Sequence, residues 1–205
     1  MSFPSGSYDR MLQKMEDYNI GGSLHAVGIL FAKPDVPFVK NEILKNIKRD
    51  NEASGRNIDF FFAGYCADKT GKPDEIVINA PRNQKWYYSE SMFKEFIGRI
   101  TEHSEWKYSN ETELLLLYFR GKKLRFDKSL VICLERAVSE KGIRSVSNLF
   151  EKIFSKALSE ENTTEFSDSC AFQANTSSLI DEVCAFLNDN RGNSNIFKVE
   201  DLSKK

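Results

Sequence analysis

The sequence predicts an α/β domain with a mixed central sheet and flanking helices, plus terminal helices. Three observations carry that expectation. Ile58 to Tyr65 is a short, aromatic-rich apolar run bounded by Ser54-Gly55 and Asp68-Lys69-Thr70-Gly71, which reads as a strand between turns. Ahead of it, Val39, Ile43, Leu44 and Ile47 fall on one stripe of a helix. Further on, Glu113 to Phe119 and Leu124 to Phe126 flank Arg120-Gly121-Lys122-Lys123, the pattern of a hairpin with its basic tip in water. Asp59 alone is polar in the first run, so that strand is expected to be covered on both faces and to lie centrally.

Taken in order, Ser7 caps a first helix whose Tyr8, Met11, Leu12, Met15 and Tyr18 share a face before Gly21-Gly22 stops it. Leu24 to Phe31 is a strand, and Ala32-Lys33-Pro34-Asp35-Val36-Pro37 a stiff loop. The helix carrying Val39 to Ile47 runs until Gly55, so strand, helix and strand imply a right-handed parallel crossover. Glu75 to Asn79 alternates as a short strand, and Pro81 to Lys85 is a loop. Ser89 to His103 is a helix with Met92, Phe93, Phe96, Ile97 and Ile100 on a wide apolar face.

Residues 129–138 read two ways, since Leu130 to Leu134 fits a buried strand and Glu135 to Lys141 a helical turn. Beyond Gly142, Val146, Leu149, Phe150, Ile153, Phe154, Ala157 and Leu158 define an amphipathic helix capped by Ser145 or Ser147. Ser159 to Ser169 is polar and acidic, a linker or exposed loop, and Thr176 to Leu187 is a last helix. The expected organisation is a single domain over residues 1–188, with a helical extension at 1–22, a core at 24–158, and a linker and C-terminal helix at 159–188. Residues 189–205 form a tail, apart from Ile196-Phe197-Lys198-Val199.

From Leu24 to Leu158 this order of elements resembles the thioredoxin-like arrangement, in which a parallel crossover precedes an antiparallel hairpin and a closing helix. Where that fold carries Cys-x-x-Cys this chain has Lys33-Pro34-Asp35-Val36, and no proline stands just before Leu114, where the fold's cis-proline would lie. The resemblance therefore implies the architecture without the redox chemistry.

The chain has 205 residues, enough for one sizeable core, and 29 basic against 30 acidic side chains leave a net charge of −1. No global field draws it to nucleic acid or an acidic membrane. The opening Met-Ser-Phe-Pro-Ser-Gly-Ser has neither a basic start nor an apolar core, and the longest apolar run, Leu114 to Phe119, is too short to span a bilayer. The expected location is the cytoplasm, with Cys66, Cys133, Cys170 and Cys184 as reduced, mostly buried thiols.

Four strings invite chemistry. Asp68-Lys69-Thr70-Gly71 resembles the phosphorylation motif of the P-type ATPases and their haloacid-dehalogenase relatives, which would make Asp68 a nucleophile toward phosphate. Their later Gly-Asp-Gly loop is missing, and Lys72 replaces a threonine. Cys66 is a second nucleophile candidate if His25 or His103 reaches it. Asp74 with Glu105-Trp106-Lys107 resembles metal-dependent nucleases, whose carboxylates bind magnesium while a lysine positions water.

The fourth string is the preferred one: Arg82, Lys85, Trp86, Tyr87 and Tyr88, joined by Trp106 and Tyr108 beyond the next helix, combine the residue types that dominate binding hot spots. The alternative for Trp86 and Trp106 is that they dock helix ends onto the core. No cofactor or metal is expected, because neither a glycine-rich phosphate loop nor a Cys/His pair at zinc spacing occurs. The expected function is a non-catalytic protein-interaction or regulatory subunit of a cytosolic complex, with another protein as partner ahead of nucleic acid. The alternative is a metal-dependent hydrolase or nuclease acting on phosphate esters.

Overall fold

The computed structural model describes residues 2–18, 25–53, 58–79, 85–164, 178–190 and 196–204. Within them a mixed sheet runs β1 (Ser2–Ser5), β3 (Asp59–Ala63), β2 (His25–Phe31), β7 (Glu113–Arg120), β8 (Lys123–Cys133) and β9 (Phe197–Glu200) from edge to edge. Strands β1, β3 and β2 are mutually parallel, with Val27 opposite Asp59, and β7, β8 and β9 follow as antiparallel neighbours. The crossover from β2 to β3 is helical. It starts as a π-helix, Val39–Leu44, and continues as α2, Ile47–Ala53, so the expected single helix is split.

Alternation along β2 divides the core between two faces. Phe31 meets Phe93 and Phe96 of α3 (Glu90–His103), against which α1 (Tyr8–Tyr18) also packs. Its neighbour Leu30 lies instead with Phe60, Phe62, Phe150 and Phe154, beneath α2 and α5 (Val146–Thr164), and α6 (Ser178–Asn190) packs on α5. The apolar run at 58–65 is buried throughout, as expected.

That run is not the centre of the sheet. The short strand β1, which sequence reading assigned to a helical extension, adds outside β3, and β2 and β7 occupy the middle. Nor is it continuous, because Gly64 (φ +80°) turns the chain out of β3. A Cβ there would lie 2.7 Å from Cβ of Phe93, so only glycine fits both the backbone and the packing.

Beyond Gly64 a second, three-stranded sheet forms in the order β4 (Tyr65–Cys66), β6 (Lys85–Tyr88), β5 (Ile76–Asn79). The hairpin of β7 and β8 turns through Gly121 and Lys122, both left-handed (φ +57° and +66°), the two-residue turn that matches strand twist. The ambiguity at 129–138 resolves at one bond: β8 ends at Cys133 and α4 (Leu134–Ser139) begins. Ser145 caps α5 through the Asn148 N–H. That helix runs to Thr164, into residues expected as a linker, and residues 165–177, Cys170 among them, lie outside the described residues. The expected tail contains β9, anchored by the fully buried Ile196 and by Leu202.

Candidate interaction surface

Sequence reading placed Lys85 at the end of a loop and Trp86, Tyr87 and Tyr88 as a patch. They form strand β6, and a strand sends alternate side chains to opposite faces. Trp86 and Tyr88, each 2% exposed, enter the core, where Trp86 meets Phe62 and Tyr65 and Tyr88 meets Tyr65 and Phe93. Lys85 is exposed and Tyr87 half-buried on the other face. Arg82 lies outside the described residues.

Trp106 is also core, 2% exposed and stacked 4.5 Å from Phe31, and Tyr108 packs on both Phe31 and Phe93. Three of the patch's aromatic rings, Trp86, Tyr88 and Trp106, are buried, which for the two tryptophans matches the alternative of docking onto the core. The Tyr88 hydroxyl donates to Glu90 Oε2 at 2.6 Å, and Glu90 Oε1 takes Lys33 Nζ at 2.8 Å. Burial and this acidic partner push the Tyr88 phenol well above its ordinary range.

Besides Lys85, the exposed side chains of this small sheet lie on β5. Among the described residues it pairs with β6 on one side and is the sheet's edge on the other. Ile76 is 46% and Val77 55% exposed, and Val77 stands opposite Tyr87. Sequence reading found this strand but not its exposure, which depends on which side of β6 it joins.

The chemical candidates separate. Asp68 is exposed, and the turn it begins is held by Glu75, whose Oε1 accepts from the Thr70 N–H at 2.7 Å and hydroxyl at 2.9 Å, with Gly71 left-handed. Cys66 is buried and donates to Met92 Sδ, and burial raises its thiol above the usual range. Neither histidine serves it: His25 Nε2 lies 3.2 Å from Asp59 Oδ2, and the His103 ring stacks on Tyr8. Asp74 Oδ2 accepts the Ser91 N–H at 2.7 Å, at the start of α3, whereas Glu105 follows the helix's end. A helix of 14 residues is about 21 Å long, too far for one metal. Among the described residues no three His, Cys, Asp or Glu side chains converge on a common point.

Sequence reading missed a cavity of about 370 Å³ at the other end of α3, between the 105–109 segment, the end of β8 and the incoming β9. In its wall are Trp106, Glu113, Cys133 and Arg136. Glu111 Oε2 accepts from Cys133 Sγ (2.9 Å) and from Arg136 Nε (3.0 Å), which hold Glu111 below the usual carboxylate range. Burial raises the Cys133 thiol, and donation to Glu111 raises it further. Burial also pushes Glu113 above the carboxylate range, against hydrogen bonds from Ser109.

The fold and surface define an α/β protein with a mixed central sheet and flanking helices. No helix among the described residues is long and apolar enough to cross a membrane. Comparison with protein families, curated proteins and solved structures finds no match to this chain.

Proposed function

We propose that this chain is a non-catalytic protein-interaction or regulatory subunit of a cytosolic complex, and that it docks its partner by β-strand addition along β5. The observation that carries the reading is the contrast between β5 and the two edges of the large sheet, the small sheet's other edge, β4, being two residues long and buried. An edge strand offers unpaired N–H and C=O groups, and proteins ordinarily blunt such edges with charge or proline. β1 contains Pro4, and β9 alternates Lys198 and Glu200 with Phe197 and Val199. β5 reads Ile-Val-Ile-Asn, with no charge and no proline. Its partner is an extended segment of another protein, gaining main-chain hydrogen bonds along β5 and apolar contact with Val77 and Tyr87.

The same proposal takes the architecture as thioredoxin-like. Its support is that β2 and β3 are parallel neighbours joined by a helical crossover, the β7–β8 hairpin adds antiparallel to the far side of β2, and α5 follows. At the position of the redox motif, Lys33 is engaged by Glu90 rather than by a thiol partner.

The test is site-specific photocrosslinking from a benzophenone side chain placed at Val77 and, separately, at Lys198. One defined protein captured from position 77 and not from 198 is the expected result. Equal capture from both positions, or capture of nucleic acid with affinity falling steeply in salt, contradicts the reading.

A further inference from the structure

Along the β5 edge the two ends differ in charge. In an antiparallel pair, opposed residues share a face, and Tyr87 and Lys85 alternate with the buried Trp86 and Tyr88. Val77, Tyr87 and Lys85 therefore lie together on the outer face, with Lys85 in line with Asn79 and Tyr87 in line with Val77. Lys85 is exposed, and among the described residues it has no hydrogen-bond or ion-pair partner.

At the Ile76 end the signs nearly cancel. The Glu75 N–H donates to the Lys72 carbonyl at 3.3 Å, and this turn brings Lys69 and Lys72 together with Asp68, Asp74 and Glu75. The two carboxylates next to the strand are also committed. Glu75 Oε1 accepts from the Thr70 N–H and hydroxyl, and Asp74 accepts from the Ser91 N–H and, at 3.0 Å, from the Ser89 hydroxyl. At the Asn79 end stands Lys85, and no carboxylate among the described residues pairs with it.

Neighbouring strands are about 4.8 Å apart, so a strand added to β5 places its residue in line with Asn79 about 10 Å from the Lys85 backbone. A lysine and an acidic side chain extended toward each other cover that distance. The added strand's residue two positions away, on the same face, meets Val77 and lies beside Tyr87.

Resting on the reading of β5 as the docking edge, we propose that the docked segment of the partner protein carries an aspartate or glutamate in line with Lys85 and an apolar residue two positions away, against Val77 and Tyr87. A second copy of this chain is a poorer occupant. Antiparallel pairing with Val77 opposite itself would bring Glu75 into line with Lys85, but that carboxylate is already bonded to Thr70 of its own chain.

The test selects a displayed library of random short peptides on the parent chain and discards those that also bind Val77→Lys. The peptides that remain are expected to share an acidic residue two positions from an apolar one. Lys85→Glu, a change at an exposed position, should bind them about threefold more weakly or worse with its melting temperature unchanged. It should also prefer the same peptides once lysine replaces their acidic residue. If no selected peptide depends on Val77, the reading of β5 as a docking edge fails. Val77-dependent peptides that lack the acidic residue, or that Lys85→Glu binds equally well, leave that reading intact and overturn the charge assignment. A concentration-dependent dimer abolished by Val77→Lys would make a second copy the occupant and overturn the proposal.

Discussion

Val77 stands directly across from Tyr87 in the antiparallel pair of β5 and β6, on the face opposite to the one that carries Trp86 into the core. The pair shows how one small sheet serves two purposes. Its inner face, with Tyr65, Trp86 and Tyr88, wedges against Phe62 and Phe93, and its outer edge leaves an apolar strand in water.

The inner face makes the first prediction a matter of backbone geometry. Gly64→Ala puts a Cβ at a left-handed residue and within 2.7 Å of Phe93. A loss of more than about 1 kcal/mol is expected in denaturant unfolding, since both strain and overlap oppose the substitution. An unchanged midpoint would mean that this bend relaxes freely.

Phe150 and Phe154 pack on Phe60 with ring centroids 5.0 and 5.4 Å apart from it, and both are buried. Phe150→Ala or Phe154→Ala is expected to cost about 3–5 kcal/mol. A loss below about 1 kcal/mol would show that the face of α5 is not core.

Asp50 is buried against Ser147, which donates to its Oδ2 at 3.2 Å, and burial raises its carboxyl above the ordinary value despite that bond and nearby Arg49. A raised carboxyl favours the folded state most when protonated, so its contribution is present below the unfolded value of about 4 and is lost as pH rises through the folded value. Asp50→Asn is therefore expected to raise the melting temperature at neutral pH, and the gain should shrink on acidification below about pH 4. A gain that grows in acid would reverse the assignment.

The thiols are expected to be slow toward alkylation in the native protein. Cys66, Cys133 and Cys184 are buried, and burial with Asp181 nearby lifts Cys184 to about 11. Site-resolved mass spectrometry after alkylation should show these three modified only as the chain unfolds. Fast native labelling of Cys133, or a reducible disulfide among the three, would contradict this.

Much of the fold was legible where local chemistry decides it. Gly121-Lys122 between two apolar runs defined the hairpin, Ser89 opened α3 and Ser145 opened α5, because turns and caps are set by neighbouring residues. Strand β6 was hidden because Trp86, Tyr87 and Tyr88 are aromatic on both faces, so the period of two is invisible in composition. β1 and β9 are four residues each and exist only by pairing with β3 and β8, far away in sequence. The candidate surface was half legible for the same reason. Trp106 was singled out, but Glu113 and Arg136 acquire meaning only when Ile196 and Phe197 close over them.

The central claim is that the β5 edge, and not edges in general, receives a partner strand. The most direct measurement is the affinity of the protein captured from position 77 for the parent chain, Val77→Lys and Val199→Lys, with melting temperatures taken alongside. The two valines are similarly placed, 55% and 46% exposed on the β5 and β9 edges. Val77→Lys is expected to weaken binding by about tenfold or more with its melting temperature unchanged, while Val199→Lys binds like the parent. Undiminished binding by Val77→Lys, or a loss that tracks a fall in its melting temperature, would contradict the account.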